Sequence, residues 1–200
     1  MLVQSKEKFY TPDEYRELEE TAEFKNEYRD GKIVQISGCS INHSRIIRNL
    51  SRVLGNLLEG QPYELFHNDL RLWIPRYRRG TYPDVMVIEG EPVFTEGRND
   101  EILNPVLIVE VLSKYSEDVN REDKFRFYRS IPQFREYLLV SPYEIFVLQY
   151  IKTASNEWLF REYEGETATI SFDSVKLEMS MTDIYELVVF EMLQPCQVPI

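Results

Sequence analysis

The order of predicted elements indicates an α/β or α+β domain, with a mixed central β-sheet flanked by helices. Helix and hairpin patterns fill the first part of the chain, central strands follow, and one further helix precedes a last group of strands. The chain contains no repeat, low-complexity tract or linker. We therefore predict a single domain over residues 1–200, a length that can bury a sizeable core.

The first elements carry clear local signals. Thr11 and Glu14 form a capping box around Pro12, which predicts a helix to about Glu20. The segment 27–36 is typical of a hairpin that turns at Asp30-Gly31. A long helix is expected from Asn42, which can cap it, through Leu58, because its apolar residues recur along one stripe.

Apolar and alternating segments predict the remaining elements. Strands are expected at residues 70–74, 85–88, 106–112, 136–140, 145–151, 157–163 and 167–172. A helix is expected over about 117–130, and Thr182 can cap a last short helix through Leu187.

Composition excludes several classes of protein. No apolar run approaches the length of a membrane span, and the first six residues lack the apolar core of a signal peptide. The two cysteines, Cys39 and Cys196, are far apart and form no ligand-spaced pair, so neither a disulfide framework nor a zinc knuckle is expected. We expect a cytoplasmic protein that does not associate with membranes.

The formal net charge of −11 disfavours non-specific attachment to DNA. It does not exclude a protein that acts on DNA, because the local electrostatic field matters more than the total charge. Two basic groups interrupt the acidic background, and taken alone both are expected to be solvated surface. They consist of Arg71, Arg76, Arg78 and Arg79, and of Arg121, Lys124, Arg126 and Arg129.

Two carboxylates occur in segments that should be buried. Glu110 is expected to share a strand face with Val106, Ile108 and Leu112, and Asp84 opens the apolar strand at 85–88. A lone buried carboxylate is costly unless a cation or a positive partner accompanies it. Either acid alone could pair with an arginine or end a strand. Two acids at the ends of adjacent central strands favour a shared metal.

Lys124 is the third candidate. It falls on the helical stripe that carries Phe127, Tyr128 and Ile131, which should pack toward the sheet. The alternative is that its long stem extends to solvent. Two carboxylates and a lysine suit phosphodiester hydrolysis: the acids hold Mg²⁺ or Mn²⁺, and the lysine orients the nucleophile or stabilises charge on phosphorus. We expect the ammonium to reach Glu110 or Asp84.

These motifs, in this order, resemble the putative restriction endonuclease family of the PD-(D/E)xK nuclease superfamily. The resemblance covers roughly residues 9 to 190. It rests on the following segments: 27–31, His43, 82–85, 108–113, 123–125, Tyr128 and 135–140.

The resemblance implies a restriction-endonuclease-like core, that is, a mixed central β-sheet with helices on both sides. It also implies a magnesium site in which Asp84 and Glu110 match the motif acids. Leu112 stands where the superfamily has its lysine, and Lys124 matches a lysine that has moved to the following helix. Glu27 matches an acid that approaches the metal, and His43 matches a histidine of unclear role. Asn120 stands where an aspartate is expected.

The resulting hypothesis is a magnesium-dependent DNA endonuclease that uses Asp84, Glu110, Lys124 and Glu27. The alternative is a catalytically inactive protein of the same fold that binds nucleic acid or a protein partner. A homodimer is expected if two sites cut two strands. The segment around Ser113 and Ser116 does not resemble a nucleophile elbow, which excludes a serine hydrolase of that type.

Overall fold

The computed structural model describes residues 8–36, 38–113 and 121–190. The helices of this part of the chain are α1 (Pro12–Glu20), α2 (Ile41–Leu58), α3 (Arg121–Tyr128) and α4 (Met181–Ile184), with a short 3-10 helix at Pro75–Tyr77. The strands are β1 (Asn26–Arg29), β2 (Lys32–Gln35), β3 (Tyr63–His67), β4 (Arg71–Ile74), β5 (Arg79–Thr81), β6 (Val85–Glu89), β7 (Glu101–Ile102), β8 (Pro105–Val111), β9 (Glu136–Val140), β10 (Phe146–Ala154), β11 (Glu157–Glu164), β12 (Thr169–Phe172) and β13 (Leu177–Ser180).

The strands form two mixed sheets and one small antiparallel pair. The larger sheet has the order β11-β10-β9-β8-β6-β3, and the smaller has the order β2-β1-β5-β4-β7. Each contains one parallel pair, β8 with β9 and β4 with β7. The fold class is therefore mixed α/β, as the sequence predicts, although the strands are divided between sheets instead of forming one.

Both faces of the six-stranded sheet are covered, which buries its central strands completely. On one face, α2, α4 and the β12–β13 pair pack over apolar side chains such as Val85, Val109 and Leu138. On the other, α3 and the five-stranded sheet pack over Met86, Ile108 and others. Every residue of β8 is buried for this reason. A charged residue in β8 is thus held away from bulk water.

Of the three capping residues predicted from the sequence, only that of α1 is confirmed. Thr11 caps α1 with the predicted capping box, and Pro12 occupies its first turn. The caps of α2 and α4 were predicted wrongly: Ser40, not Asn42, caps α2, and Ser180, not Thr182, caps α4. Several suitable polar residues stand together at these starts, so only the backbone geometry selects the one that accepts the amide hydrogen.

Four strands had no sequence prediction, namely β3, β5, β7 and β13. They are short or carry polar residues, and sheet pairing stabilises them. The strand predicted at 70–74 begins at Arg71, and the helix predicted at 117–130 is described from Arg121 to Tyr128. Asn120, Lys114 and Cys196 lie outside the described residues. No helix in the described part of the chain is both long and apolar enough to span a membrane.

Candidate active site

The antiparallel pairing of β6 and β8 positions the two candidate acids. Val85 pairs with Val109, so the next step of the register sets Asp84 across from Glu110 at the end of the ladder. Directly opposed residues in an antiparallel pair have Cβ atoms about 5 Å apart. The two predicted acids therefore lie on neighbouring chain segments, as the sequence suggested.

Asp84 is held by the backbone of β8. Its Oδ2 atom accepts a hydrogen bond from the Val111 amide at 2.7 Å, and Nε2 of His43 lies 3.4 Å from the same oxygen. Within the described residues, Oδ1 has no hydrogen-bond donor. One oxygen of Asp84 thus fixes the side chain, and the other is left for a ligand.

In Glu110, too, one carboxylate oxygen accepts the hydrogen bonds from the protein and the other accepts none from the described residues. Its Oε1 atom accepts hydrogen bonds from Lys124 Nζ at 3.0 Å and from the Tyr128 hydroxyl at 2.6 Å. No donor in the described residues contacts Oε2. Burial raises the pKa of Glu110, Lys124 lowers it, and the charge of Asp84 raises it again, so that the pKa lies above its usual value. Burial and the nearby Asp84 thus outweigh the effect of Lys124 on this carboxyl.

Lys124 lies on α3, whose Phe127 and Tyr128 are buried against the sheet. Its ammonium contacts Glu110 and lies 3.9 Å from Oε1 of Glu27. Burial lowers the pKa of Lys124, but Glu110, Glu27 and Asp84 raise it far more, and the pKa lies above its usual value. Lys124 is consequently a permanent cation at neutral pH, suited to stabilising charge and unsuited to accepting a proton.

Glu27, on β1, faces Lys124 from the smaller sheet. Its Oε1 accepts a hydrogen bond from the Thr81 hydroxyl at 2.6 Å, and its Oε2 accepts from Arg29 Nη2 at 2.8 Å. Burial raises the pKa of Glu27, but Lys124, Thr81 and Arg29 lower it more, and the carboxylate is held ionised. Both oxygens are occupied, so Glu27 is placed to orient Lys124.

His43 approaches from the first turn of α2. Burial lowers the pKa of His43, whereas Asp84, Glu110 and the Val111 backbone raise it more, so the net direction is upward. Its Nδ1 atom is buried without a hydrogen-bond partner among the described residues. The imidazole of His43 therefore lies next to Asp84. The sequence had assigned His43 no role.

The two acids fit a divalent cation such as magnesium. They are oxygen donors, and each keeps one oxygen without a protein donor in the described segments. Across residues 8–36, 38–113 and 121–190, no three or more His, Cys, Asp or Glu side chains are arranged to hold a metal. The protein would supply two carboxylates, and Mg²⁺ commonly completes its shell with water and substrate phosphate.

Sequence reasoning missed two parts of this arrangement. The Tyr128 hydroxyl shares Glu110 with Lys124, whereas the sequence placed Tyr128 on the packing face of the helix and among the family matches without giving its hydroxyl a role. Its spacing of four from Lys124 could have indicated a shared target on one helix face. Val106 was expected on the face of Glu110, but it packs with the opposite cluster, next to a register shift in the β6–β8 ladder.

Comparison with known proteins identifies the family. Residues 12–182 match the model of the Uma2 family, described as "Putative restriction endonuclease". The chain belongs to this family. Two uncharacterised proteins of Synechocystis sp. are also similar: sll1609 is 42% identical over 88% of this chain and 100% of its own length, and slr1290 is 34% identical over 90% and 93%.

A solved structure shares the Uma2 fold. It is a crystal structure of a putative nuclease belonging to DUF820 from Anabaena variabilis, with a TM-score of 0.70 at 21% identity. The match covers 90% of this chain and 99% of the other. The nuclease-like fold expected from the sequence is therefore confirmed.

Proposed function

We propose that this Uma2 protein is a magnesium-dependent endodeoxyribonuclease that hydrolyses phosphodiester bonds at Asp84, Glu110 and Lys124. One observation carries the proposal. The two acids face each other across the β6–β8 ladder, and each has one oxygen without a protein donor among the described residues. The Lys124 ammonium lies 3.0 Å from the other oxygen of Glu110, Oε1. Carboxylate oxygens are the ligands that Mg²⁺ prefers, and a lysine beside them can stabilise charge on phosphorus.

The bound cation would be held by the carboxylates of Asp84 and Glu110. Mg²⁺ or Mn²⁺ in such a place polarises the phosphate and lowers the pKa of a bound water. The carboxylates bind and neutralise the cation, and the Val111 amide and Tyr128 hydroxyl keep them oriented.

Lys124 is assigned the role of stabilising the negative charge that develops on the phosphoryl group. Its raised pKa keeps it protonated, so it donates hydrogen bonds to a non-bridging phosphate oxygen or to the attacking water. Glu27 is assigned a positioning role, because its Oε1 atom lies 3.9 Å from the ammonium. The lysine in the usual superfamily position is replaced by Leu112, which cannot supply this charge.

The net charge of −11 favours a second candidate, a non-catalytic protein of the same fold that binds nucleic acid or a protein. The two candidates differ in one measurable property. A nuclease cleaves DNA only with a divalent cation and loses that activity when Lys124 is replaced, whereas a binding protein does neither.

The deciding experiment is a cleavage assay with purified protein on supercoiled DNA, linear duplex DNA, single-stranded DNA and RNA. Magnesium and manganese are titrated, and EDTA is the metal-free reference. Asp84→Asn protein purified in the same way controls for contaminating nucleases. We expect metal-dependent cleavage of DNA by the wild type alone. Absence of cleavage on every substrate with either metal would favour the non-catalytic candidate.

A further inference from the structure

A cluster of basic side chains lies outside the candidate active site, beside α3. A surface pocket of about 230 Å³ lies between the 3-10 helix, the end of α3 and the β10–β11 hairpin. It is lined by Arg76, Tyr77, Arg126, Arg129, Ser130, Lys152, Ser155, Asn156 and Trp158. Four of the nine lining residues are basic and none is acidic, in a chain whose net charge is −11.

The positive charges of this pocket are largely uncompensated. In the described part of the chain, no carboxylate lies within ion-pair distance of Arg76, Arg129 or Lys152. Arg126 has a single exposed partner, Asp123, at 3.6 Å on the same helix. Such an exposed pair contributes little and is readily exchanged for a stronger anion. Four cations held together with a single exposed carboxylate repel one another, and an anionic ligand would relieve that repulsion.

The guanidinium groups are ordered by aromatic rings instead of by acids. Arg76 lies over the Tyr77 ring, with 5.7 Å from Cζ to the ring centroid, and Arg129 lies over Phe125 at 4.8 Å. Arg126 lies between Tyr77 and Phe127 at 5.8 and 5.2 Å. Stacking of this kind orients the planar guanidinium and leaves its N–H groups available to phosphate oxygens.

The pocket packs directly against α3, the helix that carries Lys124. Tyr77 packs edge-on against Phe127, with 4.8 Å between ring centroids, and Trp158 packs against Phe125 at 4.9 Å. Both phenylalanines belong to the helix that carries Lys124. Lys124 and Arg129 are separated by five residues, about 7.5 Å of helical rise. A polyanion held at the pocket would therefore have a fixed position relative to Lys124.

We infer that this pocket is a binding site for the phosphodiester backbone of DNA, which holds the strand next to the reaction centre. The inference rests on the proposed function, since it makes the occupant the substrate of that same protein. Arg76, Arg126, Arg129 and Lys152 contact phosphates and carry no base specificity. The concentration of positive charge at this place offsets the acidic remainder of the surface.

The test is a DNA-binding measurement that involves no cleavage. Fluorescein-labelled duplex DNA is titrated with protein in EDTA, and anisotropy is recorded at several salt concentrations. The pocket variant is Arg126→Ala/Arg129→Ala. Its matched control is Arg48→Ala/Arg52→Ala, which removes the same charge from exposed positions of α2, on the opposite face of the sheet. Arg76→Ala/Lys152→Gln is a second pocket variant from different elements.

We expect each pocket variant to bind DNA about tenfold more weakly and to reduce the slope of log K against log salt by about 2, as for two lost phosphate contacts. The control should keep the wild-type slope. Equal losses in pocket and control variants would overturn the inference, because general charge would then explain binding. Failure of wild-type protein to bind DNA would overturn it as well.

The same proteins are assayed for cleavage with magnesium, which separates this inference from the proposed function. Pocket-dependent binding without cleavage by the wild type supports the pocket and contradicts the nuclease. Cleavage by a pocket variant at the wild-type rate and affinity contradicts the pocket and leaves the nuclease intact. Poly-glutamate at equal ionic strength is the last arm: pocket-dependent binding as tight as that of DNA would point to an acidic protein and overturn the inference.

Discussion

Two buried glutamates of this protein show opposite ways of holding a negative charge. Glu101, on β7, is fully buried, and both of its oxygens are satisfied. Arg16 donates to Oε1 at 2.8 Å and to Oε2 at 3.1 Å, Thr95 donates to Oε1 at 3.0 Å, and Arg71 lies 3.4 Å from Oε2. Its charge is neutralised by cations of the protein itself.

Glu110 is almost as deeply buried, but its charge is only partly compensated. Lys124 and Tyr128 share Oε1, the described residues leave Oε2 without a donor, and Asp84 adds a second negative charge across the ladder. The comparison teaches that burial alone does not mark a candidate site. What distinguishes Glu110 is incomplete satisfaction, which an added cation would correct.

The sharpest test of this comparison is the stability of a Glu101→Gln variant. Loss of the carboxylate removes the buried partner of Arg16 and Arg71 and leaves them only the more exposed Asp13 and Asp100. We therefore expect unfolding in urea to become easier by about 3 kcal/mol. Glu96→Gln, at an exposed position of the same region, is the control and should change little. A Glu101→Gln protein as stable as the wild type would remove the distinction between the two glutamates.

Replacement of Lys124 by Met should remove most of the activity and keep the fold. The apolar stem is retained and the ammonium is lost, so we expect the cleavage rate to fall at least about a hundredfold, with the circular dichroism spectrum unchanged. Lys114, which lies outside the described residues, is nearer to Glu110 in sequence. The Lys114→Met protein is assayed in parallel. Activity lost there and retained in Lys124→Met would reverse the assignment.

A smaller effect is expected when the site acids themselves are neutralised. In EDTA, Asp84→Asn and Glu110→Gln should unfold within about 1 kcal/mol of the wild type or be more stable, because each change removes a poorly compensated charge. Magnesium at ten times its dissociation constant should stabilise the wild type by about 1.4 kcal/mol and the variants less. Calorimetric melts with and without magnesium measure both. A large loss in EDTA would make these acids structural, like Glu101.

The smallest change in activity is expected for Glu27, and it tests whether this residue positions Lys124. Glu27→Gln keeps a partner for Thr81 but weakens the hold on Lys124, so we expect kcat to fall about tenfold with KM nearly unchanged. Thr81→Val removes the 2.6 Å hydrogen bond to Glu27 and should act in the same direction, more weakly. A change in magnesium affinity with kcat preserved would instead indicate that Glu27 contacts the metal.

Much of the fold could be predicted because its signals are local. The capping box of α1, the Asp30-Gly31 hairpin turn and the apolar strand β8 all depend on residues close together in sequence. The four short strands and the caps of α2 and α4 could not, since pairing partners and backbone geometry select them. The single domain, the Mn²⁺ alternative and the homodimer stay predictions.

The basic residues show most clearly how grouping in the sequence differs from grouping in the folded protein. Sequence groups Arg71 with Arg76, but Arg71 is buried beside Glu101, whereas Arg76 joins Arg126, Arg129 and a lysine from a distant hairpin. The sequence alone identifies these residues as cations. Their division into a structural ion pair and a surface pocket is not, because it depends on which strand packs under which helix.

The sequence by itself determined the chemical types of the candidate site and their order: an acid before one apolar strand, an acid within the next, and a lysine on the following helix. Tertiary structure alone decided that Glu27 faces Lys124 instead of Asp84 and that His43 reaches Asp84. Local residues specify strands and helices through hydrogen bonding and apolar periodicity. The contacts between distant side chains arise only when packed layers fix the distance and direction of each one.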